Sequence, residues 1–193
     1  MRKVGILGGT FNPPHIGHLI MANEVCDLLN LDEVRLMPTA IPPHKQLADT
    51  ATSEQRLKMI ELAVMDSDKL VSSAEEVSFG GVSYTVNTMQ RLLEKEPDSE
   101  FYFIIGGDMV DSLHTWYRID DLMEMVQFVG VGRPGTERKT NYPIQYANTP
   151  LIDVSSTLLR MKYAAGNTTA YLLPLAVDHY IRQEGLYGTN KDH

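Results

Sequence analysis

Gly8-Gly9-Thr10-Phe11-Asn12-Pro13-Pro14-His15-Ile16-Gly17-His18 follows the apolar run Val4 to Leu7 and precedes an amphipathic pattern that starts near Ile16. The stretch reads as strand, glycine turn, helix. Glycines at a strand end let the backbone approach a ligand closely, Pro13 and Pro14 stiffen the connection, and the following helix presents unpaired backbone N–H groups at its positive end. Such a helix start is an anion site before any side chain is counted. His15 and His18 are three apart, so their imidazoles share one face of the first turn and can both donate hydrogen bonds to phosphate oxygens. The stretch lacks the Gly-Lys-Ser/Thr ending of a Walker loop and the Gly-x-Gly-x-x-Gly of a dinucleotide fold. A pair of surface histidines and half a zinc site remain alternatives; a zinc site needs a third protein ligand, and the lone Cys26 falls in a helical apolar pattern instead.

The chain around this stretch is 193 residues long, enough for one α/β domain with a sizeable core. No apolar run reaches the ~20 residues of a membrane span. The apolar segment after Met1-Arg2-Lys3 breaks at Gly8-Gly9, so it reads as a first strand rather than a signal peptide. One cysteine permits no internal disulfide, which suits a cytoplasmic location. A formal net charge of -8 argues against bulk nucleic-acid or anionic-membrane partners. An acidic chain that binds polyanions must concentrate donors and cations locally: the two histidines, Lys45, Arg133 and Arg160 are the candidates, and most other Lys and Arg read as solvated surface.

Downstream, apolar residues at helical spacing from Ile16 to Asn30 give one buried face, and Val34 to Met37 reads as a second strand. The rigid Pro38 to Lys45 loop then lies at a strand's carboxyl end, where open α/β sheets bind ligands. Ser53 can cap a helix to about Asp66 with Leu57, Ile60 and Val64 inward, and Leu70 to Val77 is β-like. Gly80 to Thr85 turns into a helix with Val86, Met89 and Leu93 inward. Phe101 to Ile105 has the continuous apolar character of a parallel strand buried on both faces, and it ends in Gly106-Gly107-Asp108-Met109. Asp108 is placed to meet ribose hydroxyls or, alternatively, to cap the next helix. Trp116, beside Tyr117, is either core or a platform for a flat ring. Phe128 to Val131 is a further strand, residues 136 to 148 read as a polar surface excursion, and Leu151 to Val154 as a last strand. That strand feeds Ser155-Ser156-Thr157, a hydroxyl-rich helix start suited to a triphosphate, with Arg160 one turn inward. Pro174 opens the final helix and Gly185 stops it. The alternation predicts a doubly wound, mostly parallel sheet with helices on both faces, and a ligand above the ends of the first and fourth strands.

His15-Ile16-Gly17-His18 resembles the His-x-Gly-His signature of the nucleotidyltransferase superfamily that includes class I aminoacyl-tRNA synthetases. The longer Gly-Gly-Thr-Phe-Asn-Pro-Pro-His-x-Gly-His resembles the bacterial nicotinate-nucleotide adenylyltransferases. Val154-Ser155-Ser156-Thr157-Leu158-Leu159-Arg160 is similar to that family's second motif, Ile-Ser-Ser-Thr-x-x-Arg, with Val for Ile, and Pro42-Pro43-His44-Lys45 matches a third segment. The resemblance covers essentially the whole chain. It implies a single Rossmann-like nucleotidyltransferase domain over 1–193 that moves AMP from ATP to nicotinate mononucleotide, giving deamido-NAD and pyrophosphate. Mg²⁺ would be carried mainly by the ATP phosphates. His15 and His18 would be catalytic. Gly8, Gly9, Thr10, Phe11, Gly106, Asp108, Arg133, Ser155, Ser156, Thr157 and Arg160 would join them on ATP. Lys45, Thr85, Met109, Trp116 and Tyr117 would hold the mononucleotide. The oligomeric state stays open, a homodimer included.

Overall fold

The computed structural model describes residues 1–40, 51–132, 140–150 and 152–189. Strands β1 (Arg2–Gly9), β2 (Glu33–Pro38), β3 (Leu70–Ser72), β4 (Ser99–Gly106), β5 (Gln127–Gly132) and β6 (Ile144–Asn148) form one sheet in the order β3-β2-β1-β4-β5-β6. Every neighbouring pair is parallel. The chain winds outward from β1 to β3 and then returns to lay β4 on the other side of β1. The strand order therefore reverses between β1 and β4, which is where an open α/β sheet leaves a crevice at its carboxyl edge.

Period-two alternation along the central strands supplies both cores. Leu7 and Ile104 face one side with Ala22, Val25 and Cys26 of α1 (Ile16–Leu28) and Ile60 and Val64 of α2 (Ser53–Val64). Val4, Ile6, Phe103 and Ile105 face the other. There they meet Val86, Met89 and Leu92 of α4 (Thr85–Lys95) and Leu122 of α6 (Ile119–Met125), while α3 (Glu75–Phe79) and α5 (Gly107–Val110) are short connectors. A third cluster joins Met59 of α2 to Leu159 and Tyr163 of α7 (Ser156–Ala164) and to Val177 and Ile181 of α8 (Leu175–Glu184). Gly185, at φ 65°, ends α8 in the left-handed conformation that glycine adopts without steric cost. Among the described residues no helix is long and apolar enough to cross a membrane.

Several sequence expectations are corrected. The last strand is Ile144–Asn148, inside the stretch read as a surface excursion, and Ile152 to Val154 is not a strand. As an edge strand β6 buries only Ala147 fully, so its polar residues mask it; its Ile144 and Tyr146 side chains lie over Gly130, where an added Cβ would meet the tyrosine ring at 2.9 Å. The β-like run from Leu70 stops at Ser72, and Glu75 and Glu76 open α3, because acids favour the positive end of a helix. Thr52 rather than Ser53 caps α2: its hydroxyl accepts from the Gln55 N–H, and its own N–H donates to Gln55 Oε1. Leu57 is half-buried, and its neighbour Arg56, read as solvated surface, is 1% exposed.

Candidate active site

At the end of β1 the chain leaves the sheet through Gly8 and Gly9. A Cβ at Gly9 would stand 3.1 Å from the Phe11 ring, so glycine there lets Phe11 tuck beneath the loop, buried, at a φ of 49°. The Asn12–Pro13 peptide is cis. His15 caps α1, and its ring stacks on that of His18 with centroids 3.7 Å apart, while the edge of Phe11 contacts His18 at 4.9 Å. The His15 backbone N–H donates to His18 Nδ1 at 3.2 Å, which fixes the neutral tautomer and leaves the Nε2–H as a donor. Burial holds the His15 pKa down to about 4; burial, with the neighbouring His15, holds that of His18 down to about 3. Both imidazoles are therefore neutral at pH 7. Gly17 makes the stack fit, since a Cβ there would meet His15 Nδ1 and Cε1 at 3.1 Å.

Residues from the far end of the chain hold this loop in shape. Arg160 Nη1 donates to the Asn12 carbonyl at 2.9 Å and its Nη2 to Thr157 Oγ1 at 3.2 Å. Ser156 Oγ donates to the Pro13 carbonyl at 2.8 Å, and the Tyr187 hydroxyl donates to Asn12 Oδ1 at 2.6 Å. Ser155 accepts from the Leu158 N–H at the start of α7. The second sequence motif thus meets the first directly. Arg56, which sequence reasoning passed over, donates to the carbonyls of Thr10 (2.8 Å), Thr39 (2.7 Å) and Ala40 (3.1 Å). Its signal was spacing, because residues 56, 59, 60 and 64 make one helical stripe and all four are buried.

On the other flank of the β1 terminus lies a cleft of about 300 Å³ whose wall carries Thr85, Met109, Trp116 and Tyr117, with Gly8, Gly9 and Thr10 as its floor. Trp116 is both core and wall: it stands edge-on to Phe103 (5.9 Å) and Phe128 (6.1 Å). Tyr117 leans on Tyr84, ring centroids 4.8 Å apart. Ser83 and Tyr84 line the cleft too, as the family resemblance of Ser83-Tyr84-Thr85 implies, and Glu76 lines it as well but was missed. Glu76 is buried, accepts from Thr88 Oγ1 at 3.1 Å, and has its pKa pushed up by burial. At the end of β4, the Asp108 carboxylate leans over Gly106, where a Cβ would be 2.8 Å from Oδ1. Asp108 is exposed on α5, across the strand reversal from the histidine loop. Lys45 and Arg133 lie outside the described residues.

Residues 6–162 match the family model described as cytidylyltransferase-like. The chain is 51% identical over 189 residues to a Lactiplantibacillus plantarum protein named "Probable nicotinate-nucleotide adenylyltransferase", covering 98% of this chain and 90% of the relative. The chain belongs to the nicotinate-nucleotide adenylyltransferase family. A Bacillus cereus member bearing the same name is also 51% identical, over 97% of this chain and 99% of its own. Among solved structures, the Plasmodium falciparum nicotinic acid mononucleotide adenylyltransferase complexed with NaAD superposes with a TM-score of 0.81 at 20% identity, covering 98% of this chain and 99% of that one. A Vibrio parahaemolyticus structure described as "a Putative Nicotinate-nucleotide Adenylyltransferase" gives 0.72 at 20% identity, over 98% of each chain. These two likenesses establish the fold: the Rossmann-like, doubly wound α/β architecture expected from the sequence, with every strand parallel.

Proposed function

We propose that this adenylyltransferase moves AMP from ATP to the phosphate of nicotinate mononucleotide, giving deamido-NAD and pyrophosphate, a step of NAD synthesis. One observation carries the reading at the level of the site: the stacked, neutral His15–His18 pair and the aromatic cleft flank the same β1 terminus. Two ligands bound there would meet above Gly8 and Gly9. A mononucleotide phosphate oxygen attacks the α-phosphorus of ATP, the bond to the bridging oxygen breaks, and pyrophosphate leaves with that electron pair, with no covalent enzyme intermediate. The nucleophile is already anionic, so no general base is required. The protein's work is to align two mutually repelling anions and to stabilise charge that develops on the α-phosphate and the leaving group.

In this reading His18 Nε2–H and His15 donate to the phosphates without bringing charge, and the Gly8 to Phe11 backbone forms the floor. Arg160, the Ser155 to Thr157 helix start and Arg133 hold the leaving phosphates. Gly106 and Asp108 take the adenosine side, Trp116 stacks on the pyridine ring between Thr85, Met109 and Tyr117, and Lys45 approaches a phosphate. Mg²⁺ arrives on the ATP phosphates as part of the substrate, supplying charge neutralisation; among the described residues, no three His, Cys, Asp or Glu side chains group as a metal site. We read residues 1–193 as one nucleotidyltransferase domain acting in the cytoplasm, with a homodimer as a compatible assembly. The test is pyrophosphate release from ATP with nicotinate mononucleotide, nicotinamide mononucleotide and phosphopantetheine as acceptors. Turnover should be strongest with the first; preference for either of the others overturns the assignment.

A further inference from the structure

Arg56 carries a charge that the reaction scheme leaves unused. Its side chain is 1% exposed, and among the described residues it forms no ion pair. Burying a guanidinium without a carboxylate is costly, and only well-placed hydrogen bonds offset the loss of water. Here all three go to main-chain carbonyls of two segments that leave the sheet side by side: the Thr39 N–H donates to the Gly9 carbonyl at 2.9 Å, and just beyond that last backbone bond Arg56 ties Thr10, between β1 and His15, to Thr39 and Ala40, past the end of β2. The planar fork of arginine can serve both segments at once, which an ammonium or a side-chain amide cannot do with the same geometry.

The path continues past the arginine. The Ala40 N–H donates to Ser83 Oγ at 2.9 Å, and Ser83 and Thr39 both line the aromatic cleft, two residues ahead of Thr85 in the case of Ser83. A chain of bonds therefore runs from the loop that carries the histidines, through Arg56 and Ala40, to the wall of the pyridine cleft. We propose that Arg56 is a positioning residue that sets the spacing between the ATP floor and the mononucleotide cleft, and so the distance over which the two phosphates react. The inference rests on the reaction of the preceding section. Near-attack geometry requires reacting atoms about 3 to 3.5 Å apart, and two polyanions will not settle at that distance unless their two supports are rigidly linked.

The test is steady-state kinetics on Arg56→Lys, Ser83→Ala and the double variant. Arg56→Lys keeps the charge and loses the fork; Ser83→Ala cuts the far end of the path and leaves the guanidinium bonds intact, so it carries the test if the lysine variant fails to fold. Arg56→Lys should lower kcat about 10- to 100-fold, with KM for each substrate within about threefold, because a misplacement near 1 Å costs about that much. Ser83→Ala should show the same split at smaller size, and the double variant should be no worse than Arg56→Lys alone, since both cut one path. Unchanged kcat in folded variants, a loss confined to KM, or multiplicative losses in the double variant would overturn the inference. Each variant is read as a ratio to the wild type with whichever acceptor the wild type prefers. A different preferred acceptor therefore faults the proposed reaction, whereas a wild type active on nicotinate mononucleotide beside unaffected variants faults Arg56 alone.

Discussion

Gly17→Ala is the most economical test of the histidine stack, because it changes no residue that would touch a substrate. The new methyl would stand 3.1 Å from His15 Nδ1 and Cε1, about 0.3 Å inside ordinary contact. The imidazole has little room to retreat: it is 7% exposed, and His18 stacks on it with ring centroids 3.7 Å apart. Forcing a methyl into such a contact costs about 1 to 3 kcal/mol, against which alanine returns at most about 1 kcal/mol of helix propensity. The net effect is a fall in melting temperature corresponding to about 0 to 3 kcal/mol, with the fold retained. Displacing a phosphate donor by a few tenths of an ångström should lower kcat about 3- to 10-fold, scaled from the ~100-fold typical of a 1 Å misplacement. Thermal unfolding monitored by circular dichroism and pyrophosphate release measure the two quantities on the same sample. A melting temperature at or above wild type together with normal kcat would refute the reasoning. In a His15→Ala background the added methyl should cost no further activity, because the ring it displaces is gone.

Two further outcomes follow from the same loop. Arg160→Ala should raise KM for ATP about 10- to 100-fold and that for the mononucleotide far less, since a charged hydrogen bond is worth about 1.5 to 3 kcal/mol and only ATP carries the β- and γ-phosphates; equal weakening of both substrates moves the motif off the triphosphate. Acid should destabilise the fold early: the histidine pKa values, about 4 and 3, lie below the unfolded 6.5, so between these limits the unfolded chain binds protons that the native chain refuses, and stability falls as pH drops below about 6.5. Urea unfolding at pH 7 and pH 5 measures the loss. It should shrink in His18→Gln, where Glu76 and other titrating groups are retained, and an equal loss in both proteins refutes the assignment.

The central strands were legible because Val4 to Leu7 and Phe101 to Ile105 are continuously apolar, as strands buried on both faces must be. The histidine loop was legible because two glycines, two prolines and a His-x-x-His pair leave few alternatives at a strand end. Four of the five residues expected in the pyridine cleft, Thr85, Met109, Trp116 and Tyr117, do line one cavity; Lys45 falls outside the described residues. What failed to show was everything decided by partners remote in sequence. Edge strand β6 alternates too weakly for its pattern to compete with the more apolar Leu151 to Val154. Arg56 falls on the buried stripe of α2, but a charge in that stripe is accounted for only by three carbonyls from two other segments, and those the stripe does not report. Glu76 is likewise hidden in a short acidic run that the strand reading absorbed.

The hydrogen bond from Tyr187 to Asn12 joins residues 175 positions apart. During synthesis the phosphate loop leaves the ribosome near the beginning, and the hydroxyl that holds its asparagine arrives near the end. A chain interrupted after β6 has all six strands and both faces of the sheet, yet lacks Ser156, Arg160 and Tyr187, the side chains that shape the Asn12–Pro13 backbone. Such a fragment has the sheet on which the loop is mounted without the three tethers that hold it. The order of synthesis therefore places completion of this loop's shape among the last events in making the chain, although the loop itself is among the first parts made.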